Sequence, residues 1–393
     1  MRIFHASNAS PNATFESSLW RHNLCTPLID MGHDVVEFDY DLREVFLNLD
    51  PSDLTQRRFI ETTRPRTTIE LLRQIRAAQA RKPIDLFFSY FYDACVLPEA
   101  IDEIRSMGIV TVNWYCNASY QLHLVSDIAP RYDWCLVPEK FRMADYIALG
   151  ARPIYCQMAA NPSIYKPYPE RAEFDVTFVG QAYGERPAYI RRLLDEGIDV
   201  RVWGPGWIEP PRSAAGGSFR TLAAGGARAL LSPRRWAGAL RKLGRMVSDP
   251  DARAAFRRDT AAIPPHVAGG TLSDLEMVRM YSRSKVNLGF SSVGDTHRSG
   301  ERIVQVRLRD FEIPMSGGFY MVEDMEELEE FYEIGKEVVC YRDQDDLVEK
   351  IRYYLGNGSL REAIRRAGRE RALRDHTWQR RFDSAFRTMG LVH

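Results

Sequence analysis

A polar Gly/Ser loop, Ser291 to Gly300, follows the apolar run Val286 to Phe290. Behind it come Arg302, Arg307 and Arg309, and then Glu312. Backbone N–H groups in such a loop, and at the helix start after it, present positive partial charge to an anion of phosphate size. Guanidinium groups add forked donors that meet phosphate oxygens in pairs. A carboxylate on the following helix can accept from the hydroxyls of a ribose. The set therefore predicts a nucleotide-sugar site: Ser291, Ser292, Arg302 and Arg307 on a diphosphate, Glu312 on the ribose, and Arg309 as the cation nearest the chemistry. The competing reading is a surface loop with solvated arginines and a first-turn glutamate that satisfies the helix dipole.

Other residues point to the same ligand. Phe174 to Gly180 reads as a strand running into glycine, with Arg186 at the start of the next helix. That spacing sets backbone N–H groups and one guanidinium over a diphosphate, although Gly180 and Gly184 are misspaced for a dinucleotide fingerprint. Gly270, Thr271 and Leu272 precede a helix whose Ser273 and Glu276 form a capping box; that this loop cups a nucleobase is what the likeness to GT-B enzymes given below implies, the alternative being simple helix entry. In the first half, Asn113, Asn117 and His123 follow a strand end. Asn117 and His123 are the catalytic candidates there, while Asn113, with Ser7 and Asn8 of the first loop, would line an acceptor. Asp343, Asp345 and Asp346 sit just before a helix and read as caps rather than metal ligands. No metal or cofactor is expected; the nucleotide sugar would be the donor substrate.

These residues need two scaffolds. At 393 residues the chain exceeds one ordinary core. Runs of Arg2 to Ala6, Val35 to Phe38, Ile84 to Tyr90, Ile109 to Trp114 and Trp134 to Val137 alternate with helical segments at Phe15 to Met31, Ile69 to Arg81, Pro98 to Met107 and Glu139 to Leu149. Three prolines in Asn161 to Pro169 mark a linker. The rhythm then resumes with Phe174 to Gly180 and continues to Thr388. Alternating strand and helix predicts α/β domains with parallel sheets. The expected division is 1–165 on the acceptor side, 166–375 on the nucleotide-sugar side with an insertion at about 208–262, and a C-terminal helix over 376–393 crossing back. Two Rossmann-like doubly wound domains facing across a cleft are the GT-B pattern.

Bulk properties exclude several classes. Lys plus Arg equals Asp plus Glu, so nothing global favours nucleic acid. Eleven Lys/Arg fall between Arg212 and Arg258, enough for contact with an acidic acceptor or a membrane surface. Six scattered cysteines make no C-x-x-C pair and read as core thiols. Without an apolar leader or span, the expected location is cytoplasmic.

Several motifs carry a family likeness. Pro83 to Tyr90 with Asn113-Trp114-Tyr115, Asp175 to Gly180 with Tyr183-Gly184-Glu185-Arg186, Trp203-Gly204-Pro205-Gly206-Trp207, Tyr281 to Leu288, and Phe311-Glu312-Ile313-Pro314 to Phe319 resemble CgeB-like (spore-maturation type) glycosyltransferases. The resemblance implies a GT-B nucleotide-sugar transferase, related to a retaining group with paired glutamates eight residues apart. Glu312 stands at the second, ribose-binding position; Val304 occupies the first. It implies a metal-independent, retaining hexosyl transfer to a saccharide, lipid-linked glycan, protein or small molecule. A GT-B nucleotide-sugar epimerase and a non-catalytic sugar-binding homologue are the alternatives.

Overall fold

In the computed structural model, residues 1–7, 18–207, 250–293 and 302–391 are described. They build two six-stranded sheets, every pairing parallel. The first holds β1 (Arg2–Ala6), β2 (Asp34–Glu37), β3 (Leu86–Ser89), β4 (Val110–Trp114), β5 (Trp134–Val137) and β6 (Pro153–Tyr155), in the order β2-β1-β3-β4-β5-β6. The second holds β7 (Phe174–Val179), β8 (Val200–Trp203), β9 (Ala268–Gly269), β10 (Ser284–Gly289), β11 (Tyr320–Glu323) and β12 (Val339–Tyr341), in the order β12-β11-β10-β7-β8-β9. Counted from β7, that is the dinucleotide-fold order 3-2-1-4-5-6, which reverses direction between β7 and β10. Ligands of such sheets bind beyond the carboxyl ends of the strands at this reversal.

The strands are apolar on both faces, as sheets covered by helices on each side require. Leu86–Ser89 and Tyr320–Glu323 are buried along their whole length. The second core lies among Val176, Val202, Val286, Met321 and the helices Arg186–Asp195 and Gln344–Gly356. The first core does not stop at the first sheet. It continues through Tyr281, Phe311, Tyr320 and Tyr332 to Trp378, Phe382 and Phe386. Helix Trp378–Thr388 lies on the first sheet's side of the molecule. Trp378 Nε1 donates to Asn23 Oδ1 at 2.8 Å, and its ring meets Trp114 edge-on at 5.4 Å. All six cysteines are buried and free.

Three element boundaries differ from expectation. The helix expected from Ile69 starts at Leu54 and runs to Arg81, because Asp53 caps it by accepting from Thr55 N and Gln56 N. Arg-rich residues and the internal Pro65 hide those first turns. The helix expected over Phe15 to Met31 is, in its described part, a π-turn at Arg21–Cys25 leading into Thr26–Asp30. The helix expected from Glu139 is a 3-10 turn, Lys140–Arg142, followed by Met143–Ala148, which leaves Glu139 outside it. Asn8 and the basic segment up to residue 249 lie outside the described residues; Pro250–Ala261 is helical. Among the described residues no helix is long and apolar enough to cross a membrane.

Candidate functional site

The strand ends at the reversal bring together much of the predicted set. Beyond β7 the chain turns at Gly180, Gln181, Ala182 and Tyr183 into the helix that starts at Arg186. The Gly-Pro-Gly turn after β8 packs on this loop. Gly204 has φ +130°, and a Cβ there would stand 2.5 Å from Gly180 O, so only glycine fits. Ala182 N donates to Pro205 O at 2.9 Å and Trp207 Nε1 to Gly180 O at 2.7 Å. The two loops thereby hold each other.

Arg186 lies inside this arrangement, 6% exposed. Nη1 donates to Gln181 O at 2.9 Å and Nη2 to Tyr183 Oη at 2.6 Å, while the guanidinium rests over the Tyr183 ring at 3.7 Å. Among the described residues no carboxylate pairs with it, and its Nε has no partner. Burial pushes its pKa down to about 10. A guanidinium out of water without an anion costs free energy.

Of the loop expected from Ser291 to Gly300, residues 294–300 lie outside the described residues, and the described part beyond β10 pairs with residues 303–305. Ser292 bridges Val304, Val293 N donates to Ile303 O at 2.9 Å, and Gln305 N donates to Ser291 O at 3.1 Å. Its inner N–H groups are already occupied. Glu323, at the end of β11, accepts from Ser291 N at 2.9 Å and Ser292 N at 3.0 Å through Oε2. Its Oε1 takes Arg302, whose Nε also reaches Glu185 Oε2 at 3.1 Å. So Ser291 and Ser292 do form an anion cradle, but the anion in it belongs to the protein. Glu323→Ala would strand two buried N–H groups and leave Arg302 with Glu185 alone. A loss of about 2–5 kcal/mol is expected, read as a lower urea midpoint, with Glu323→Gln milder; an unchanged midpoint would refute this anchoring role.

Four arginines thus divide into two kinds. Arg302 is neutralised by Glu323 and Glu185, and Arg309 by Glu312. Arg186 and Arg307 make no ion pair among the described residues, although Glu323 and Asp310 respectively act on them at longer range. Arg307, half-buried, donates through Nη2 to Ser292 O and Ser291 O, which aim it across the strand ends. Glu312 has no exposed surface; Arg309 holds Oε2, and Oε1 has no hydrogen-bond partner. Tyr165 from the linker and Tyr281 stand against this pair, and burial, then the charge of Glu312, drives the Tyr165 hydroxyl far above its ordinary pKa. Gly270 and Thr271 are exposed and Leu272 half-buried, ahead of a helix capped by the expected Ser273–Glu276 box. Asp274 of that helix accepts from Ser18 N at 2.9 Å, joining the two halves.

The first-domain candidates scatter. Asn113 is spent on the scaffold: Oδ1 accepts from Ser89 Oγ at 2.9 Å and Phe91 N at 2.8 Å, and Nδ2 donates to Phe91 O at 3.1 Å. Ser7 is buried, 2.8 Å from His5 Nε2. Asn117 is half-buried and His123 exposed, both beyond β4. Asp343 caps its helix through Asp345 N and Asp346 N, and among the described residues no group of acidic, His and Cys side chains is placed to hold a metal. Sequence reasoning passed over Glu323, Tyr120 and Tyr183. Tyr120 interacts electrostatically with Arg307 and Tyr183 across the cleft, and with Cys116 and Glu139 on its own side. Its exposed aromatic ring after a strand end was the available signal.

Comparison with known proteins agrees with this architecture. A family model described as glycosyl transferase-like matches residues 186–387, more than half of the chain. No curated protein sequence matches. Sucrose-phosphate synthase from Thermosynechococcus elongatus aligns over 99% of both chains with TM-score 0.59 and 11% identity. HepE of Anabaena, solved with UDP and glucose, aligns over 99% of both with TM-score 0.56 and 9% identity. A protein assigned as UDP-N-acetylglucosamine 2-epimerase from Listeria monocytogenes aligns over 100% of this chain and 98% of its own, with TM-score 0.51 and 9% identity. At such identities the likeness is one of fold, the GT-B architecture of two facing Rossmann-like domains.

Proposed function

Because the chain belongs to the glycosyl transferase-like family, we propose that it moves a sugar from a nucleotide-diphosphate sugar, held at the β7/β10 reversal, to an acceptor presented by the first domain. One observation carries this reading: Arg186 is a buried cation at the reversal that makes no ion pair among the described residues, Glu323 acting on it only at longer range. A diphosphate would supply the missing anion. Arg307 lies within the same electrostatic group, and the two guanidiniums would take up charge that grows on the leaving diphosphate. Positioning and this charge stabilisation are the main means of catalysis such a site has. The motif likeness supports the CgeB-like branch, a retaining outcome and independence of metal. The same likeness supports a ribose contact for Glu312, which is fully buried against Arg309 and Tyr165 and would have to be released from them to reach a ligand.

The test is a thermal-shift series with UDP, GDP, ADP, dTDP and CDP. A ligand at a hundredfold excess over its Kd stabilises by about 2.7 kcal/mol, so the cognate nucleotide should stand out. The UDP and glucose bound by HepE make UDP-glucose the first donor to try. No shift with any of the five would end the reading. The fold is shared with the Listeria protein, so products are also analysed without acceptor. Epimerised nucleotide sugar there would favour the epimerase alternative.

A further inference from the structure

A cavity of about 350 Å³ lies at the amino ends of the second sheet, the edge opposite the donor site. Ser284, the first residue of β10, and Phe319, just ahead of β11, form its buried floor. One wall is Pro167 to Ala172, the last of the Pro-rich linker and the lead into β7; the other is the start of helix Gly358–Asp375. The two walls approach each other at Gly317. A Cβ there would stand 3.0 Å from Pro167 Cγ and 3.2 Å from Arg365 Nη1. Arg365 Nη1 donates to Gly317 O at 2.7 Å, and Tyr168 N donates to Ser282 Oγ at 3.0 Å, so both walls are fastened to the second domain.

Most charges around the cavity are matched. Lys285 pairs with Asp175 at 2.6 Å, Arg365 with Glu362 at 2.6 Å, and Glu170 with Arg279. Arg361 differs: it makes no ion pair among the described residues. Its Nη1 donates to Leu355 O at 2.8 Å and to Tyr354 O, which close the end of helix Gln344–Gly356. That anchor fixes the guanidinium, while Nε and Nη2 make no bond among the described residues. Two such N–H groups meet the oxygens of one phosphate as a fork. Glu170 and Glu362 keep acceptor capacity beyond their ion pairs, which suits hydroxyl groups. We propose that this cavity binds a phosphorylated monosaccharide, its phosphate on Arg361 and its hydroxyls on Glu170 and Glu362. Inorganic phosphate offers only the first contact and a free sugar only the second. The occupant touches the linker and the second domain at once, apart from the donor site.

The experiment measures calorimetric Kd values on the full chain at neutral pH for glucose 1-phosphate, glucose 6-phosphate, inorganic phosphate and glucose. Wild type is compared with Arg361→Gln, Ala172→Phe and Arg186→Met. One of the sugar phosphates should bind wild type more tightly than inorganic phosphate or glucose does. Arg361→Gln should weaken it about 10- to 100-fold, as expected for lost hydrogen bonds to a charged group. Ala172→Phe fills the cavity without changing a charge and should abolish binding. Ala172 is exposed, so this variant carries the test if Arg361→Gln does not fold. Arg186→Met, altered in the donor site alone, should bind the sugar phosphate as wild type does. Binding lost in Arg186→Met and kept in Arg361→Gln would place the ligand at the donor site and overturn the proposal. So would no binding of either sugar phosphate by wild type, or equally tight binding of inorganic phosphate or glucose.

Discussion

Arg307→Ala is expected to weaken nucleoside-diphosphate binding roughly 10- to 100-fold, at nearly unchanged melting temperature. The size follows from losing hydrogen bonds to a charged group, about 1.5–3 kcal/mol. The separation from stability follows from its partners. Arg307 donates to the carbonyls of Ser291 and Ser292, which keep other backbone contacts through the Gln305 N bond and the Ser292–Val304 bridge. Arg302→Ala should behave in the opposite way. Its guanidinium already answers Glu323 and Glu185, so its loss should appear in the unfolding midpoint and little in affinity. Isothermal calorimetry and urea unfolding on both variants separate the two. Equal affinities for Arg307→Ala and wild type would remove this residue from the site.

The sequence carried the strand–helix rhythm because each element obeys local rules. The Ser273–Glu276 capping box and the apolar run Leu86–Ser89 need no knowledge of the rest of the chain. Strand order is not local, so the reversal between β7 and β10 became visible only with the pairing in hand. The arginines were found by type, but their partners were not. Glu323 opens an acidic run, Glu323-Asp324-Met325-Glu326-Glu327, that reads as solvated surface. The fold buries its first member against the Ser291 and Ser292 N–H groups. Asn113 shows the converse error: an amide after a strand suggests a ligand contact, yet all its bonds go to Ser89 and Phe91. Charge pairing across elements decides which polar residues remain for a ligand, and single-sequence spacing does not contain it.

Arg186→Met should abolish nucleotide-induced stabilisation while leaving the unliganded protein about as stable as wild type. Two effects oppose each other. Removing the side chain forfeits hydrogen bonds to Gln181 O and Tyr183 Oη, each worth about 1 kcal/mol. It also removes the burden of a buried cation. Arg186 falls from its ordinary 12.5 to about 10 through burial, which corresponds to roughly 3 kcal/mol against the charged form. Both values lie well above neutral pH, so the cation is present in folded and unfolded chains and the penalty is constant there. The terms nearly cancel, and methionine can fill the space beside Tyr183 and Phe178 that the arginine stem leaves. A large drop in apo stability would mean that Arg186 is held for the loop alone. A thermal shift with nucleotide equal to that of wild type would mean that the buried charge serves no anion.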